Sequence, residues 1–336
     1  MPTVDLLHDL EPTTAALFDR HLAATKEWFP HELVPYGRAR DFTPGAAWSP
    51  ADTDCGGVTL TEAARSALYL NVLTEDNLPY YFNDIDRMFG RAGAWAAWGR
   101  WWTAEEGRHA IVLRDYLTVT RAIDPRALER ARMQQVAGGE APAPHDAAHG
   151  FVYLCLQELA TRISHRNTGP LVGDPIARAI MNRIAFDENL HFLFYRDLAT
   201  AALARDPSTM VIAMADIVTS FAMPGTGIPE FARHAAIVAK AGIYDLAIHH
   251  DQILVPIVMR HWDLPNLTGL SADAERARDR VLAHIARLGR IVARLAERRG
   301  ATAALASLRG WRIGCRRRIS RGRRRTRSWS CPSRRC

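Results

Sequence analysis

Two short stretches of the 336-residue chain place a glutamate and a histidine three residues apart. The first pair is Glu106 and His109, and the second is Glu188 and His191. Residues i and i+3 of an α-helix lie on one face, so both side chains of a pair can reach the same metal ion. Chance placement gives roughly half of one such match in a chain of this composition. The spacing of further glutamates therefore decides what the pairs mean.

A lone glutamate precedes each pair at nearly the same distance. The interval from Glu75 to Glu106 matches the interval from Glu158 to Glu188 to within one position. The offset between the two lone glutamates likewise equals the offset between the two pairs to within one position, which indicates one pair of helices present twice. Four helices then supply four carboxylates and two imidazoles, the ligand set of a di-iron carboxylate four-helix bundle.

These residue types suit iron. Carboxylates can bridge two irons and neutralise their charge, imidazoles complete a mixed oxygen and nitrogen set, and open positions remain for dioxygen. Zinc would favour a tetrahedral site with fewer carboxylates. Taken singly, a helix glutamate is usually solvated or paired with a base, and a core histidine is usually only hydrogen-bonded. The apolar residues around Glu75 and Glu158 would, however, leave an unpaired carboxylate at a cost of several kcal/mol, which favours the metal centre.

The hydrophobic periodicity predicts an all-α protein, since apolar residues recur about every 3.6 residues and no period-2 run indicates a strand. Glu11 and Pro12 predict the start of the first helix, and Pro79 predicts an irregularity just after Glu75. The other predicted helices begin at 61 and 93, run over 151–168, from 174 through Glu188, and over 208–222, 228–242, 249–262 and 271–299, with an irregular segment at 30–57. The expected fold is a ferritin-like four-helix bundle with additional helices.

The positive charge of the chain is concentrated at its end. The net charge is +7, but residues 311–336 contain eleven arginines and no acidic residue. Subtracting these arginines leaves −4 for residues 1–310, which form one predicted domain. The arginine-rich tail cannot bury a core and is expected to be disordered. The mildly acidic body predicts no specific nucleic-acid binding.

Cysteine use and the N-terminal residues predict a reduced, cytoplasmic protein. Of the five cysteines only Cys55 and Cys155 lie outside the tail, which excludes a disulfide framework. Residues 1–10 lack the basic and apolar regions of a signal peptide. No apolar run approaches the roughly 18 residues of a membrane span.

Four segments resemble the soluble acyl-acyl-carrier-protein desaturases, and in particular their actinobacterial branch. They are residues 71–79 (NVLTEDNLP), 102–109 (WTAEEGRH), 157–169 (QELATRISHRNTG) and 187–191 (DENLH). The segments occur in the family's order, and the likeness extends from about residue 5 to about residue 300. The resemblance implies the iron ligands Glu75, Glu106, His109, Glu158, Glu188 and His191.

Members of that family insert a double bond into a fatty acyl chain carried as a thioester on acyl carrier protein. They use dioxygen and two electrons, usually from ferredoxin. The resemblance therefore implies a desaturase with two iron ions (Fe²⁺), acyl carrier protein and a ferredoxin-type electron donor as partners, and a homodimeric assembly. A bent apolar tunnel between helices would fix which methylenes face the irons.

The resemblance also implies roles for two residues beside the ligands. Thr161 is similar to the family's threonine that helps deliver protons at the irons; its alternative role is a hydroxyl that bonds only its own helix backbone. Asp187 is similar to a carboxylate that orients His109 and carries electrons inward. Its alternative role is a surface charge.

The chain departs from the family pattern at two positions. Gly107 stands where most members have asparagine, which lowers helix propensity but leaves both neighbouring ligands in place. Members also tend to have a tryptophan of the electron route before the first bundle helix, and the nearest candidate in this sequence is Tyr36. Close to Glu158, His165 is predicted to be packed or hydrogen-bonded, and Cys155 to be a core residue. The tryptophans from Trp95 to Trp102 are predicted to serve packing first.

Other functions remain open on the sequence alone. A ribonucleotide reductase small subunit needs a radical tyrosine near one iron, and an iron store would be far shorter than this chain. A di-iron acyl hydroxylase shares its oxidant with a desaturase. A catalytically silent paralogue would bind acyl carrier protein without chemistry, although the intact ligand set argues against it.

Overall fold

The computed structural model describes residues 5–139, 141 and 144–321, with 299–321 as helical backbone only. Within these ranges the regular elements are helices and no strand occurs, which confirms the all-α prediction. The α-helices are α1 (Leu6–Ala24), α2 (Pro30–Leu33), α3 (Glu62–Glu75), α4 (Leu78–Phe89), α5 (Gly93–Thr120), α6 (Pro125–Gly138), α7 (Ala147–Val172), α8 (Pro175–Arg205), α9 (Pro207–Ser220), α10 (Phe231–Lys240), α11 (Leu246–Ile248) and α12 (Ala272–Arg321). Three short 3₁₀ turns and a π-helix, His249–His261, complete the described elements.

Helices α3, α5, α7 and α8 form a four-helix bundle. Helices α7 and α8 are joined by Gly173 and Asp174 alone, so they run antiparallel and pack along most of their length. Helix α3 contacts both α5 and α7, and α5 contacts α8. Helix α1 lies outside this set and packs against α5 and α8. Each bundle helix thus carries one of the predicted ligand motifs.

The turn between α7 and α8 follows from its residues. Gly173 adopts a left-handed backbone (φ 77°), which ends α7 without a Cβ clash. Asp174 Oδ1 then accepts a hydrogen bond of 3.0 Å from the backbone N–H of Ile176, and Pro175 occupies the first position of α8. The predicted helix start at Asp174 and Pro175 is therefore confirmed.

The predicted irregularity at Pro79 is a break between two helices. Helix α3 ends at Glu75 and α4 begins at Leu78, with Pro79 in the first turn of α4. A proline is tolerated there because the N–H that it lacks would have no partner within the helix. The break leaves Glu75 as the last helical residue of α3.

The predicted start of the first helix at Glu11 and Pro12 is wrong. Helix α1 begins at Leu6, capped by the side chain of Asp5, and contains Pro12. Glu11 Oε1 accepts a hydrogen bond of 2.6 Å from the backbone N–H of Ala94 at the start of α5. Capping and packing against α5 together outweigh the cost of a proline within the helix.

Contacts divide the chain into two compact units, Met1–Ala286 and Arg287–Cys336. The first unit contains the four-helix bundle. In the second unit α12 extends to Arg321, so part of the segment expected to be disordered is helical; residues 322–336 lie outside the described residues. The domain boundary at residue 310 stays a prediction. Among the described helices, none has both the length and the apolar character needed to cross a membrane.

Candidate metal centre

The six predicted ligands meet in the middle of the bundle as two overlapping groups. The groups are Glu75, Glu106, His109 and Glu188, and Glu106, Glu158, Glu188 and His191. Within each group the potential donor atoms lie within 4.8 Å of one another, and all six residues are buried. Glu106 and Glu188 belong to both groups, so they occupy the positions of bridging ligands for two adjacent ions.

The two shared glutamates each turn one oxygen toward each histidine. Glu106 Oε2 lies 3.3 Å from His109 Nδ1, and its Oε1 lies 3.0 Å from His191 Nδ1. Glu188 repeats the pattern, with Oε1 3.5 Å from His109 Nδ1 and Oε2 3.9 Å from His191 Nδ1. The site therefore has approximate twofold symmetry, as the sequence repeat predicts.

Buried polar atoms at the centre of the site fit a pair of cations. His109 Nδ1, His191 Nδ1 and Glu158 Oε2 are buried and have no hydrogen-bond partner among the described residues. Burying polar atoms without a hydrogen-bond partner costs free energy. Binding of metal ions by these three atoms would remove that cost. Four carboxylates and two neutral imidazoles would balance the four positive charges of two divalent ions.

Without metal, the buried acids and imidazoles compete for protons. Burial, reinforced by the charges of Glu188 and Glu75, raises the pKa of Glu106 to about 7. Burial also raises the pKa of Glu158 well above its usual range, again with help from the Glu188 charge. Burial would raise the pKa of Glu188, but the two histidines lower it far below its ordinary value.

The two histidines gain protons in the same way. Burial lowers the pKa of His109, but the Glu106 charge and a bond to Asp187 raise it well above its ordinary value. Burial also lowers the pKa of His191, but the bond to Glu105 and the nearby carboxylate of Glu106 raise it well above its ordinary value. The metal-free site therefore stores protons that divalent ions would displace.

Asp187 connects His109 to a tryptophan outside the bundle. Asp187 Oδ2 lies 3.4 Å from His109 Nε2 and accepts a hydrogen bond of 2.8 Å from the indole N–H of Trp28. The Trp28 ring is nearly parallel to the His109 ring, with centroids 6.4 Å apart. The Asp187 carboxylate also pairs with Arg183. Asp187 is almost fully buried, which excludes its alternative role as a surface charge.

Tyr36 does not take the tryptophan's place. It is 46% exposed, and its hydroxyl donates a hydrogen bond of 2.6 Å to Asp115. Trp28 lies between α1 and α2, earlier in the chain than the candidate chosen from the sequence. The interpretation that Tyr36 was the nearest candidate is therefore wrong, because the chain at Trp28, and not at Tyr36, approaches Asp187.

Two residues on the His191 side were not predicted from the sequence. Glu105 Oε2 lies 3.0 Å from His191 Nε2 and 2.9 Å from His21 Nε2, and Glu105 and His21 are both buried. A signal for Glu105 was present, since an acidic residue directly precedes both Glu-x-x-His motifs: Glu105 in the first and Asp187 in the second. Each of these acids bonds the histidine of the other motif. His21, on α1, has no comparable sequence signal.

Thr161 and His165 on α7 also contact the predicted ligands. Thr161 Oγ1 lies 3.0 Å from Glu188 Oε2 and 3.0 Å from the backbone oxygen of Glu158, so its single hydroxyl proton can serve either acceptor. His165 Nε2 lies 3.0 Å from Glu75 Oε1. The prediction that His165 is hydrogen-bonded is confirmed.

The tryptophans of α5 do more than fill space. Trp95, Trp98 and Trp102 are buried, while Trp101 is 40% exposed. The indole N–H of Trp102 donates a hydrogen bond of 3.0 Å to Glu158 Oε1. Trp102 therefore satisfies one oxygen of a predicted ligand while the other oxygen remains available.

A mostly apolar cavity adjoins the site. Apolar side chains such as Ile85, Met88 and Leu154 line it together with Glu106 and Glu188. A second cavity shares Thr74, Glu75, Thr161 and Pro224 with the first. The bundle thus offers apolar space in direct contact with the carboxylates.

A four-helix bundle that buries two overlapping carboxylate and histidine groups beside an apolar cavity defines a class, the helical-bundle proteins with a carboxylate-rich metal site. Comparison with known proteins specifies the family. The model of the fatty acid desaturase family matches residues 2–309. The chain belongs to this family.

Relatives agree with this assignment. The chain is 40% identical over 286 residues to DesA1 of Mycobacterium tuberculosis, named an acyl-[acyl-carrier-protein] desaturase, covering 82% of this chain and 83% of the relative. It is 32% identical over 300 residues to the chloroplastic acyl-[acyl-carrier-protein] desaturase 7 of Oryza sativa subsp. indica, covering 83% and 74%. The X-ray structure of DesA2 from Mycobacterium tuberculosis H37Rv matches with a TM-score of 0.65 and 26% identity, covering 82% of this chain and 99% of that one.

Proposed function

We propose that this protein is an acyl-[acyl-carrier-protein] desaturase that uses dioxygen to insert a double bond into a carrier-bound fatty acyl chain at two iron ions. The observation that carries the proposal is the pair of shared glutamates. Glu106 and Glu188 each turn one oxygen toward His109 and the other toward His191. This arrangement suits two adjacent irons that act together on one dioxygen molecule. Family membership and the names of the relatives support the substrate class.

The proposed ligands divide into end ligands and bridges. Glu75 and His109 would hold one iron, Glu158 and His191 would hold the other, and Glu106 and Glu188 are near enough to both to be shared. When bound, the irons supply the electron transfers by which dioxygen is reduced and the acyl chain is oxidised.

The proposed reaction balances with one external electron donor. Two adjacent methylenes lose two hydrogen atoms in all, and the new carbon–carbon π bond forms between them. Dioxygen receives those two hydrogen atoms together with two donor electrons and two protons, and leaves as two water molecules. A ferredoxin-type protein as the donor, acyl carrier protein as the substrate carrier and a homodimeric assembly complete the proposal.

The cavity beside the carboxylates is where the protein would select which methylenes of the acyl chain react. Ile85, Met88 and Leu154 offer an apolar wall that excludes water and holds an alkyl chain next to Glu106 and Glu188. Holding the reacting methylenes in place lowers the entropic part of the barrier. Which methylenes face the irons then depends on how far the acyl chain enters.

Thr161 and Asp187 have separate roles in this proposal. Thr161 lines the cavity and holds a proton at Oγ1, 3.0 Å from Glu188 Oε2, where the protons consumed by dioxygen are needed. Asp187 orients His109 and bonds the Trp28 indole, which provides a bonded path for electrons toward the site.

The test is to load the protein with iron and incubate it with acyl carrier protein thioesters of several chain lengths, dioxygen, ferredoxin and a ferredoxin-reducing system. Products are released and analysed by mass spectrometry. We expect a mono-unsaturated acyl chain with at least one substrate length. A hydroxylated product would indicate the di-iron hydroxylase instead, and carrier binding without any product would indicate the catalytically silent paralogue.

A pair of glutamate variants makes this test specific. Glu106→Ala should lose iron and activity together, since it removes an oxygen ligand from both ions. Glu129→Ala is the matched control, because Glu129 lies on the exposed face of α6 and pairs with the surface arginines Arg114 and Arg132. Full iron content in Glu106→Ala would contradict the ligand assignment.

A further inference from the structure

Glu105 and His21 form a buried polar contact with the His191 half of the site. One carboxylate oxygen, Glu105 Oε2, lies 3.0 Å from His191 Nε2 and 2.9 Å from His21 Nε2. The His21 and His191 rings are nearly parallel, at 16°, with centroids 5.7 Å apart. His21 comes from α1, outside the four bundle helices. The contact thus joins a predicted ligand to a helix that carries none.

The geometry fixes which nitrogen of His191 faces the ions. A carboxylate can only accept, so His191 must donate through Nε2–H to Glu105. In the neutral ring that would bind metal, Nδ1 then carries the lone pair, and it lies 3.0–3.9 Å from oxygens of Glu106, Glu158 and Glu188. A histidine that binds metal commonly donates its other N–H to a carboxylate, which sets its tautomer and orientation.

His21 in turn orients Glu105. The same oxygen accepts from both imidazoles, and a carboxylate oxygen has two lone pairs with which to do so. His21 Nδ1 is buried and has no hydrogen-bond partner in the described part of the chain. The His21 and Trp98 rings pack nearly perpendicular to each other, with centroids 5.0 Å apart. The bond to Glu105 is therefore the polar contact that accounts for a histidine at this buried position.

A side chain that only packed in the apolar core would not need to be a histidine at position 21. Trp98 and its stacked neighbour Phe194 are buried in this part of the core, so packing alone does not require a histidine at position 21. An apolar residue would, however, leave Glu105 with one donor fewer on its imidazole-facing oxygen.

We propose that His21 and Glu105 are positioning residues for the metal ion bound by His191, and that they do not affect the ion bound by His109. This inference rests on the proposed two-metal function. Removing such a partner of a ligand typically lowers metal affinity about 10- to 100-fold. The loss should be confined to one of the two ions.

The test uses the full chain and anaerobic titration with Co²⁺, whose visible absorption reports both stoichiometry and geometry. Wild type should bind two equivalents. His21→Leu should weaken one equivalent about 10- to 100-fold and leave the other unchanged. His21→Gln should restore most of the loss, because its side-chain N–H₂ can donate to Glu105. His8→Leu is the matched control, since His8 is an exposed histidine of the same helix.

Two ligand-deleted backgrounds show which ion is affected. In a His191→Ala protein, which keeps the His109 group, His21→Leu should leave the affinity of the remaining ion unchanged. In a His109→Ala protein it should weaken the remaining ion. Equal effects in both backgrounds, or none in either, would overturn the inference.

Folding and the proposed function are checked separately. Far-ultraviolet circular dichroism shows whether His21→Leu folds, and Glu105→Gln, which removes the charge at nearly constant shape, must give the same selective loss. A wild-type protein that binds fewer than two equivalents would contradict the proposed function itself. Two tight wild-type equivalents without a selective loss in the variants would contradict only the role of His21 and Glu105.

Discussion

The two halves of the candidate metal centre have the same contact between a histidine and an acid. They differ in the residues that contact that acid on its other side. In both halves a histidine turns Nδ1 inward and bonds through Nε2 to an acid that precedes the other half's Glu-x-x-His motif. Behind Asp187 are the Trp28 indole and the Arg183 guanidinium. Behind Glu105 is the His21 imidazole, covered by fully buried Trp98.

The difference lies in the residues that surround the acid of each half. The Asp187 half continues through Trp28 to two cationic side chains, Arg108 and Arg183, whose guanidinium carbons lie 5.1 and 5.7 Å from the Trp28 ring centroid. The Glu105 half also contacts Arg108, which lies 3.4 Å from Glu105 Oε1, and continues through His21 into the aromatic core. The acid of the first half therefore contacts a tryptophan flanked by arginines, and the acid of the second half contacts a histidine packed against aromatic rings.

The largest expected effect comes from removing a shared ligand. Glu188→Ala should abolish tight binding of both ions, because Glu188 belongs to both donor groups. Glu158→Ala should lose one ion only, because Glu158 belongs to the His191 group alone. Metal stoichiometry by atomic emission distinguishes the two. If both variants bind one equivalent, Glu188 does not bridge and the site is two independent halves.

A second prediction concerns pH, and it applies to both halves at once. Near neutral pH the metal-free site takes up protons, because the pKa values of His109, His191 and Glu158 are raised and the pKa of Glu106 is about 7. Divalent ions need these atoms unprotonated. Loading both ions should therefore release protons, and the overall binding constant should fall on acidification by about tenfold per pH unit for each proton released.

Calorimetry in buffers of different ionisation enthalpy measures the proton release directly. A value near zero would mean that the metal-free site already has free bases. Unequal release for the first and second equivalents would show which half holds more protons. The two halves would then differ in the number of protons that they bind as well as in their contacts.

A smaller effect is expected for Asp187→Ala. This change leaves the Trp28 indole and Arg183 without their acceptor and removes the orienting contact of His109. It should weaken one ion about 10- to 100-fold and slow reduction of the site by an external donor. Asp197→Ala on the same helix is the control, since Asp197 pairs with Arg20 and Arg196 away from the ligands. Equal weakening of both ions would remove the distinction between the halves.

The bundle and its six inward side chains were predictable because they follow from local periodicity. Glu-x-x-His on one helix face and the near-equal spacing of the glutamates in the two halves require no knowledge of how the helices pack. His165 was predictable as a hydrogen-bonded neighbour for the same reason, since it lies two turns beyond Glu158 on α7. The break at Pro79 followed from proline chemistry.

The surroundings of the ligands were not predictable in this way. Trp28 lies in a connection and His21 on α1, and the depth at which such segments reach the bundle depends on tertiary packing. The prediction of where α1 starts was wrong for a related reason, since the contact of Glu11 with α5 is non-local. Glu105 could have been predicted from the acid that precedes each Glu-x-x-His motif. The sequence does not show, however, that it bonds His191 of the other motif.

The smallest expected effect concerns the one position where the two motifs differ in helix propensity. Gly107 follows Glu106 as Asn189 follows Glu188. A Cβ at Gly107 would meet only Leu78 Cδ2, at an ordinary 3.8 Å, and the residue lies inside α5. Gly107→Ala should therefore raise the free energy of unfolding by about 0.5–1 kcal/mol, measured by urea denaturation, with both metal equivalents retained. A stabilised variant that reduces dioxygen more slowly would mean that flexibility of α5 between Glu106 and His109 serves the His109 half, a difference that contacts alone do not reveal.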